Sequence, residues 1–140
     1  MRGNKKQTGL MKQGDLFSQT FKISESVYNG FLSVFNDRNP VHVDSAYAQK
    51  LGFREKIMHG NILGGFLSYF IGECLPVKNV VIHLQEIKYL KPVFLNDELN
   101  FSAKITEVHE SVNAIGFSFV FENVQQVKVA KGKIQIGIIT

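Results

Sequence analysis

The stretch from Asn61 to Leu75 constrains this chain more than any other feature. It carries Ile62, Leu63, Phe66, Leu67, Tyr69, Phe70, Ile71, Cys74 and Leu75, which at helical spacing cover every side rather than one stripe. A helix apolar all round must be surrounded, so the rest of the chain has to wrap it. Pro76 ends it. Gly64, Gly65, Ser68, Gly72 and Glu73 interrupt the run, and it falls short of the roughly 20 residues a bilayer span requires. No membrane span is expected. With 140 residues, 44% of them hydrophobic, the chain has the size of one domain with a real core around that helix.

The net charge of +4 is concentrated at one end. Arg2, Lys5, Lys6 and Lys12 precede the first acid, Asp15, and from Gly14 onward 12 basic residues face 12 acidic ones. A nucleic-acid surface needs Lys and Arg clustered on one face of the fold, so no nucleic-acid partner is expected. Residues 1–13 read as a disordered basic arm, and 14–140 as a single domain. One cysteine, Cys74, rules out an internal disulfide framework and a Cys-based zinc cluster. The first residues lack the apolar middle region of a secretory signal, so a cytoplasmic location is expected.

The material that wraps the helix is legible in the alternations. Phe17, Phe21 and Ile23 mark a first strand, and Ser24 offers an N-cap to a short helix through Val27, Phe31, Val34 and Phe35. A second short helix runs from Asp44 to Leu51 and stops at Gly52. After the long helix come strands only. Val80 to Leu90 is the first of them. Leu99, Phe101, Ala103 and Ile105 alternate with polar residues, as do Ile115, Phe117, Phe119 and Phe121. Ile134, Ile136 and Ile138 form the last, with a bulge expected at Lys131-Gly132 because Val127 and Val129 keep the opposite parity. The list predicts an α+β hot dog arrangement, a curved antiparallel sheet of about five strands around one long buried helix.

Two segments carry possible chemistry. Asp37-Arg38-Asn39-Pro40-Val41-His42 holds a carboxylate and an imidazole on either side of a proline that stiffens the chain between them. Acid-base catalysis needs two such groups fixed on one small volume, although Asp and Asn also favour turns for purely structural reasons. Met58-His59-Gly60 stands where the long helix begins. There, unpaired N–H groups and a glycine would admit a carbonyl oxygen, or Gly60 is a permissive cap and His59 a satisfied turn histidine. His42, His59, His83 and His109 show no metal-ligand spacing, and neither metal nor cofactor is expected.

Taken together, Asp37 to His42, Asp44, Tyr47-Ala48, Gly52-Phe53, Ile57 and His59-Gly60 before an apolar helix resemble the signature of MaoC-like dehydratases and R-specific enoyl-CoA hydratases. Lys91-Pro92-Val93-Phe94-Leu95-Asn96-Asp97 is similar to that family's Pro-Val-x-x-Gly-Asp turn. Asn36 and Asn96 stand where the family usually has glycine, and Asn tolerates left-handed backbone best among the other residues. The resemblance implies hydration of trans-2-enoyl thioesters to R-3-hydroxyacyl thioesters, or the reverse, on a coenzyme A or acyl carrier protein handle. It implies Asp37 and His42 as the catalytic pair, Gly60 as oxyanion donor, and Asn39, His59 and Ser68 as further substrate-site residues. A homodimer is implied as well. Arg38, Arg54 and Lys56 are candidates to meet the phosphates of coenzyme A. An acyl-thioesterase or a non-catalytic acyl-thioester binding subunit would use the same fold.

Overall fold

The computed structural model describes residues 9–140. Strand β1 (Leu16–Lys22) leads to helix α1 (Glu25–Phe35), the single turn α2 (Pro40–Val43), α3 (Ser45–Lys50) and the long helix α4 (Asn61–Glu73). Strands β2 (Val80–Tyr89), β3 (Glu98–His109), β4 (Ala114–Glu122) and β5 (Lys128–Ile138) follow. The caps are local and chemical. Ser24 Oγ accepts from the Val27 N–H at 3.2 Å, and Asp44 Oδ1 accepts from the Tyr47 N–H at 3.2 Å. Helix α2 has no counterpart in the sequence reading, because a single turn is too short to show a period. Its determinants are Pro40 at the first turn and Asn39 Oδ1 accepting from the Val41 N–H. Asn36 and Asn96 both adopt left-handed backbone, with φ of 57° and 69°, which is what their place in two family glycine positions requires.

The five strands form one antiparallel sheet in the order β1-β3-β4-β5-β2. Strand β2 pairs with β5 rather than with β3, which makes β1 and β2 the two edges. The alternations decide the inner face: Leu99, Phe101, Ala103 and Ile105 of β3 are buried, as are Ile115, Phe117, Phe119 and Phe121 of β4. Against them α4 lays Ile62, Leu63, Leu67, Phe70 and Ile71, all at most 3% exposed. Phe70 is the centre of this contact, with its ring 4.8 Å from that of Phe101, 5.5 Å from Phe17 and 5.8 Å from Phe117. No helix among the described residues is long and apolar enough to cross a membrane.

Three expectations need correction. The long helix is not wrapped on every side. Gly65, Ser68 and Tyr69 are exposed, because a single sheet covers one face of a cylinder and the opposite face here is built of small and amphipathic residues. The bulge in β5 lies at Val129, not at Lys131-Gly132: Phe121 pairs with Ala130 and Glu122 with Lys128, so Val129 is the extra residue and both Val129 and Ala130 are buried. Gly132 stays in register opposite Phe119, and it serves close approach instead, since a Cβ there would lie 1.9 Å from the Glu86 carbonyl oxygen. Of the arm expected over residues 1–13, residues 1–8 lie outside the described residues. Met11 departs from that expectation, being 1% exposed and part of the core, while the Gly14 N–H donates to the Ile105 carbonyl.

Candidate active site

Three features of the chain meet at one place: the turn after α1, the turn α2, and the start of α4. Asn36 ends α1 in left-handed backbone and its N–H returns to the Leu32 carbonyl, so the chain leaves the helix abruptly and presents Asp37. The Asp37 carboxylate accepts from the Asn39 N–H through Oδ1 at 3.2 Å, leaving Oδ2 free of the turn. Five residues on, α2 carries His42. Its Nδ1 stands 2.9 Å from the Ile57 carbonyl, and a carbonyl only accepts, so Nδ1 carries the hydrogen and Nε2 of the neutral ring keeps its lone pair. That Nε2 faces Asp37 Oδ2 at 3.9 Å. The distance is too long for a direct hydrogen bond and short enough for both atoms to reach one solvent molecule.

A cleft of about 540 Å³ opens on this pair. Asp37 and His42 line it together with Phe31, His59, Gly60 and Tyr89. Gly60 is the N-cap of α4, where the first backbone bonds run from the Ile62 N–H to the His59 carbonyl and from the Leu63 N–H to the Gly60 carbonyl. The N–H groups of Gly60 and Asn61 therefore lie ahead of the helical ladder, as donors for an outside acceptor. A Cβ at position 60 would lie 2.9 Å from the Tyr89 ring, so glycine lets that ring pack closely on the start of α4. Burial holds the Tyr89 hydroxyl above its ordinary pKa, which keeps it a donor at the cleft wall.

A second cavity, of about 830 Å³, adjoins the first and shares Phe31, Asp37 and Asn61 with it. Its other walls come from α1 and α4 and are largely apolar, Val27, Val34, Phe35, Ile62 and Phe66 with glycines at 30, 64 and 65, and Gln85 of β2 completes them. Asp37 thus stands at the junction of two cavities, the first carrying the titratable side chains and the second largely apolar.

The residues singled out from the sequence divide accordingly. Asp37, His42, His59 and Gly60 are gathered on the cleft. Asn39 is exposed and does not line it; it acts on Asp37 through its main-chain N–H while its side chain caps α2. Ser68 is exposed and lines neither cavity, because it falls on the face of α4 away from the sheet, two turns past Asn61. Neither of these two is on the cleft wall where a substrate-site role was expected. Arg54 is tied to Asp97 at 3.7 Å and lies over the Phe94 ring, Arg38 bonds the Asn36 side chain, and the Lys56 ammonium lies over the Tyr28 ring. The cation on the cleft is instead Lys91. Tyr89 was not singled out by its local pattern, and Lys91 entered only as the first residue of the family-like turn; residues at or just past the end of an edge strand gain their place only when the sheet is assembled. Asp37, His42 and His59 each bring a possible ligand atom within 4.8 Å of the others, a gathering no sequence spacing announced.

Comparisons with known proteins converge. A family model described as MaoC like domain matches residues 7–127. An (R)-specific enoyl-CoA hydratase of Rhodospirillum rubrum is 33% identical over 96 residues, covering 69% of this chain and 67% of that protein. One from Aeromonas caviae is 32% identical over 80 residues, covering 57% of this chain and 60% of that one, so the chain spans about three fifths of its length. Among solved structures, an R-hydratase of Pseudomonas aeruginosa in the unliganded form superposes with a TM-score of 0.84 at 29% identity, covering 94% of this chain and 84% of that one.

Proposed function

The chain belongs to the MaoC-like domain family, and from that premise we propose that it is a hydro-lyase of the hot dog fold that interconverts trans-2-enoyl and R-3-hydroxyacyl thioesters at the Asp37–His42 pair. The observation that carries the reading is the orientation of those two groups: Oδ2 and Nε2 are 3.9 Å apart, each held by a main-chain partner on its other atom, where the cleft adjoins a largely apolar cavity. In hydration, a water held between them forms its oxygen bond to C3 of the enoyl group and gives up a proton to the pair. The π electrons move to the thioester oxygen, which the Gly60 N–H meets, and C2 then takes a proton from the pair, so that one water is added overall. A preorganised donor at such an oxygen is worth about 3 kcal/mol of barrier. The relatives that carry the names of (R)-specific enoyl-CoA hydratases support this chemistry. The handle is coenzyme A or an acyl carrier protein, with Lys91 at the cleft as the cation that meets it. The test is direct: the protein should remove the ultraviolet absorbance of trans-2-butenoyl-CoA without releasing thiol, whereas thiol release would identify a thioesterase.

The acyl chain belongs in the apolar cavity. A Cβ at Gly65 would meet nothing within 4 Å, so a larger side chain there enters the cavity without striking the fold. Gly65→Leu is expected to keep the rate on butenoyl-CoA within about threefold and to lower kcat/KM for an eight-carbon enoyl-CoA by about 10- to 200-fold, the scale of a steric mismatch in an apolar pocket. A chain-length profile decides it; an unchanged profile would remove the acyl chain from this cavity.

The edge strand β2 supports association into a homodimer. Val81, Ile82 and Leu84 are 38–42% exposed on it, an apolar edge that an isolated chain leaves open to pairing. Leu84→Lys is expected to convert the dimer to monomer in light scattering, and a monomeric wild type would refute the assignment. The single free Cys74 fits a reducing compartment such as the cytoplasm.

A further inference from the structure

We propose that His59 is a positioning residue, which tethers the main chain of Asp37 and supplies the surface on which the His42 ring is set, without touching substrate; the proposal rests on the hydratase reading above. His59 is a buried polar side chain, 2% exposed. Its Nε2 lies 2.8 Å from the Asp37 carbonyl oxygen, across 22 residues of chain, and must carry the hydrogen that this oxygen accepts. One face of its ring lies against His42, with centroids 4.1 Å apart and planes 32° from parallel. Phe31 packs against it as well, at 4.7 Å.

Packing alone does not explain an imidazole here. In the tautomer that donates from Nε2, Nδ1 is an acceptor, and it is buried without a partner. An unmet buried polar atom is destabilising, and a phenyl ring would fill the same space between two other rings without it. What a phenyl ring lacks is the Nε2–H. That donor has a specific task. The bonds inside the Asp37 turn, from the Asn39 N–H to the Asp37 carboxylate and from Arg38 to Asn36, join the turn to itself and not to the body of the protein. The His59 bond is the one made to the Asp37 main chain among the described residues, and it fastens the turn to the start of α4, the element that also carries Gly60. The same ring thus references the carboxylate, the imidazole and the oxyanion donor to one another, and a displacement of about 1 Å in such a constellation costs on the order of 10²-fold in rate.

The experiment compares wild type, His59→Phe, His59→Gln and His59→Asn on trans-2-butenoyl-CoA, with thermal melting alongside. Gln can put an N–H where Nε2 stands; Asn reaches only as far as Nδ1, and Phe keeps the ring without the donor. Expected are a kcat lowered by about 10- to 100-fold in Phe and Asn with KM within about twofold, no fall in the melting temperature of Phe, and a kcat within about threefold of wild type in Gln. A second readout needs no turnover: backbone order parameters of Arg38 and Asn39 from amide relaxation should drop from about 0.85 toward 0.6 or below in Phe and recover in Gln. Equal kcat in Phe and wild type, or Gln no better than Phe, overturns the proposal. A wild type that does not hydrate butenoyl-CoA overturns the hydratase reading instead, and the order parameters then decide the tether alone: a rigid turn in Phe refutes it, a loosened turn restored by Gln upholds it.

Discussion

Asp37→Asn and His42→Ala are each expected to slow hydration of trans-2-butenoyl-CoA by on the order of 10²-fold or more, the scale of losing one acid-base partner. The first substitution is mild as geometry. Asn can still accept from the Asn39 N–H, so the turn after α1 survives, and what disappears is the anionic oxygen facing His42 Nε2. The second removes the ring held by the Ile57 carbonyl and with it the lone pair aimed at that oxygen. On the proposal that the two groups act on one water, the double variant should be little slower than the slower single one. Initial rates with circular dichroism controls decide it. Either single variant retaining the wild-type rate, or losses that multiply in the double, would mean that the groups do not act as a unit.

The largest effect on stability is expected from Phe70→Ala. Phe70 is 1% exposed and its ring meets Phe17 of β1, Phe101 of β3 and Phe117 of β4, so one side chain joins the long helix to three strands. Removing a buried phenyl ring costs about 3–5 kcal/mol, the lost transfer energy plus the cavity left among neighbours that cannot collapse into it. A domain of this size has about 5–15 kcal/mol in total, so the variant should fold marginally. Urea unfolding should show a lower midpoint at an unchanged slope. A loss below about 1 kcal/mol would show that the ring cluster relaxes freely and is not the anchor of helix to sheet.

Much of the architecture was legible because its determinants are local. Period-two alternation in β3 and β4 predicts an inner face, and Leu99, Phe101, Phe117 and Phe121 occupy it. Ser24 and Asp44 announce helix starts by the chemistry of their side chains, and both cap as expected. Asp37 and His42 were legible as a pair only with the family resemblance beside the proline turn, since Asp and Asn favour such turns for structural reasons as well. Illegible were the features that depend on partners far along the chain. The bulge could lie at more than one position with the same change of parity, and the choice of Val129 depends on which residues β4 offers across the ladder. Ser68 looks buried in a helix that reads as apolar throughout, yet a single sheet covers only one side of that helix.

The sequence by itself determined all the longer elements, the inner face of the sheet and the stiff link between a carboxylate and an imidazole, since periodicity, capping and the fixed φ of proline act over a few residues. Tertiary structure alone decided that Ile57, 15 residues beyond His42, selects which ring nitrogen is free. It also decided that Tyr89 packs on Gly60, and that the buried His59 ring bonds the main chain of Asp37, 22 residues away. Those choices are made by hydrogen bonds and contacts between segments that local preference cannot bring together, and only closure of the sheet against the helix fixes their distances.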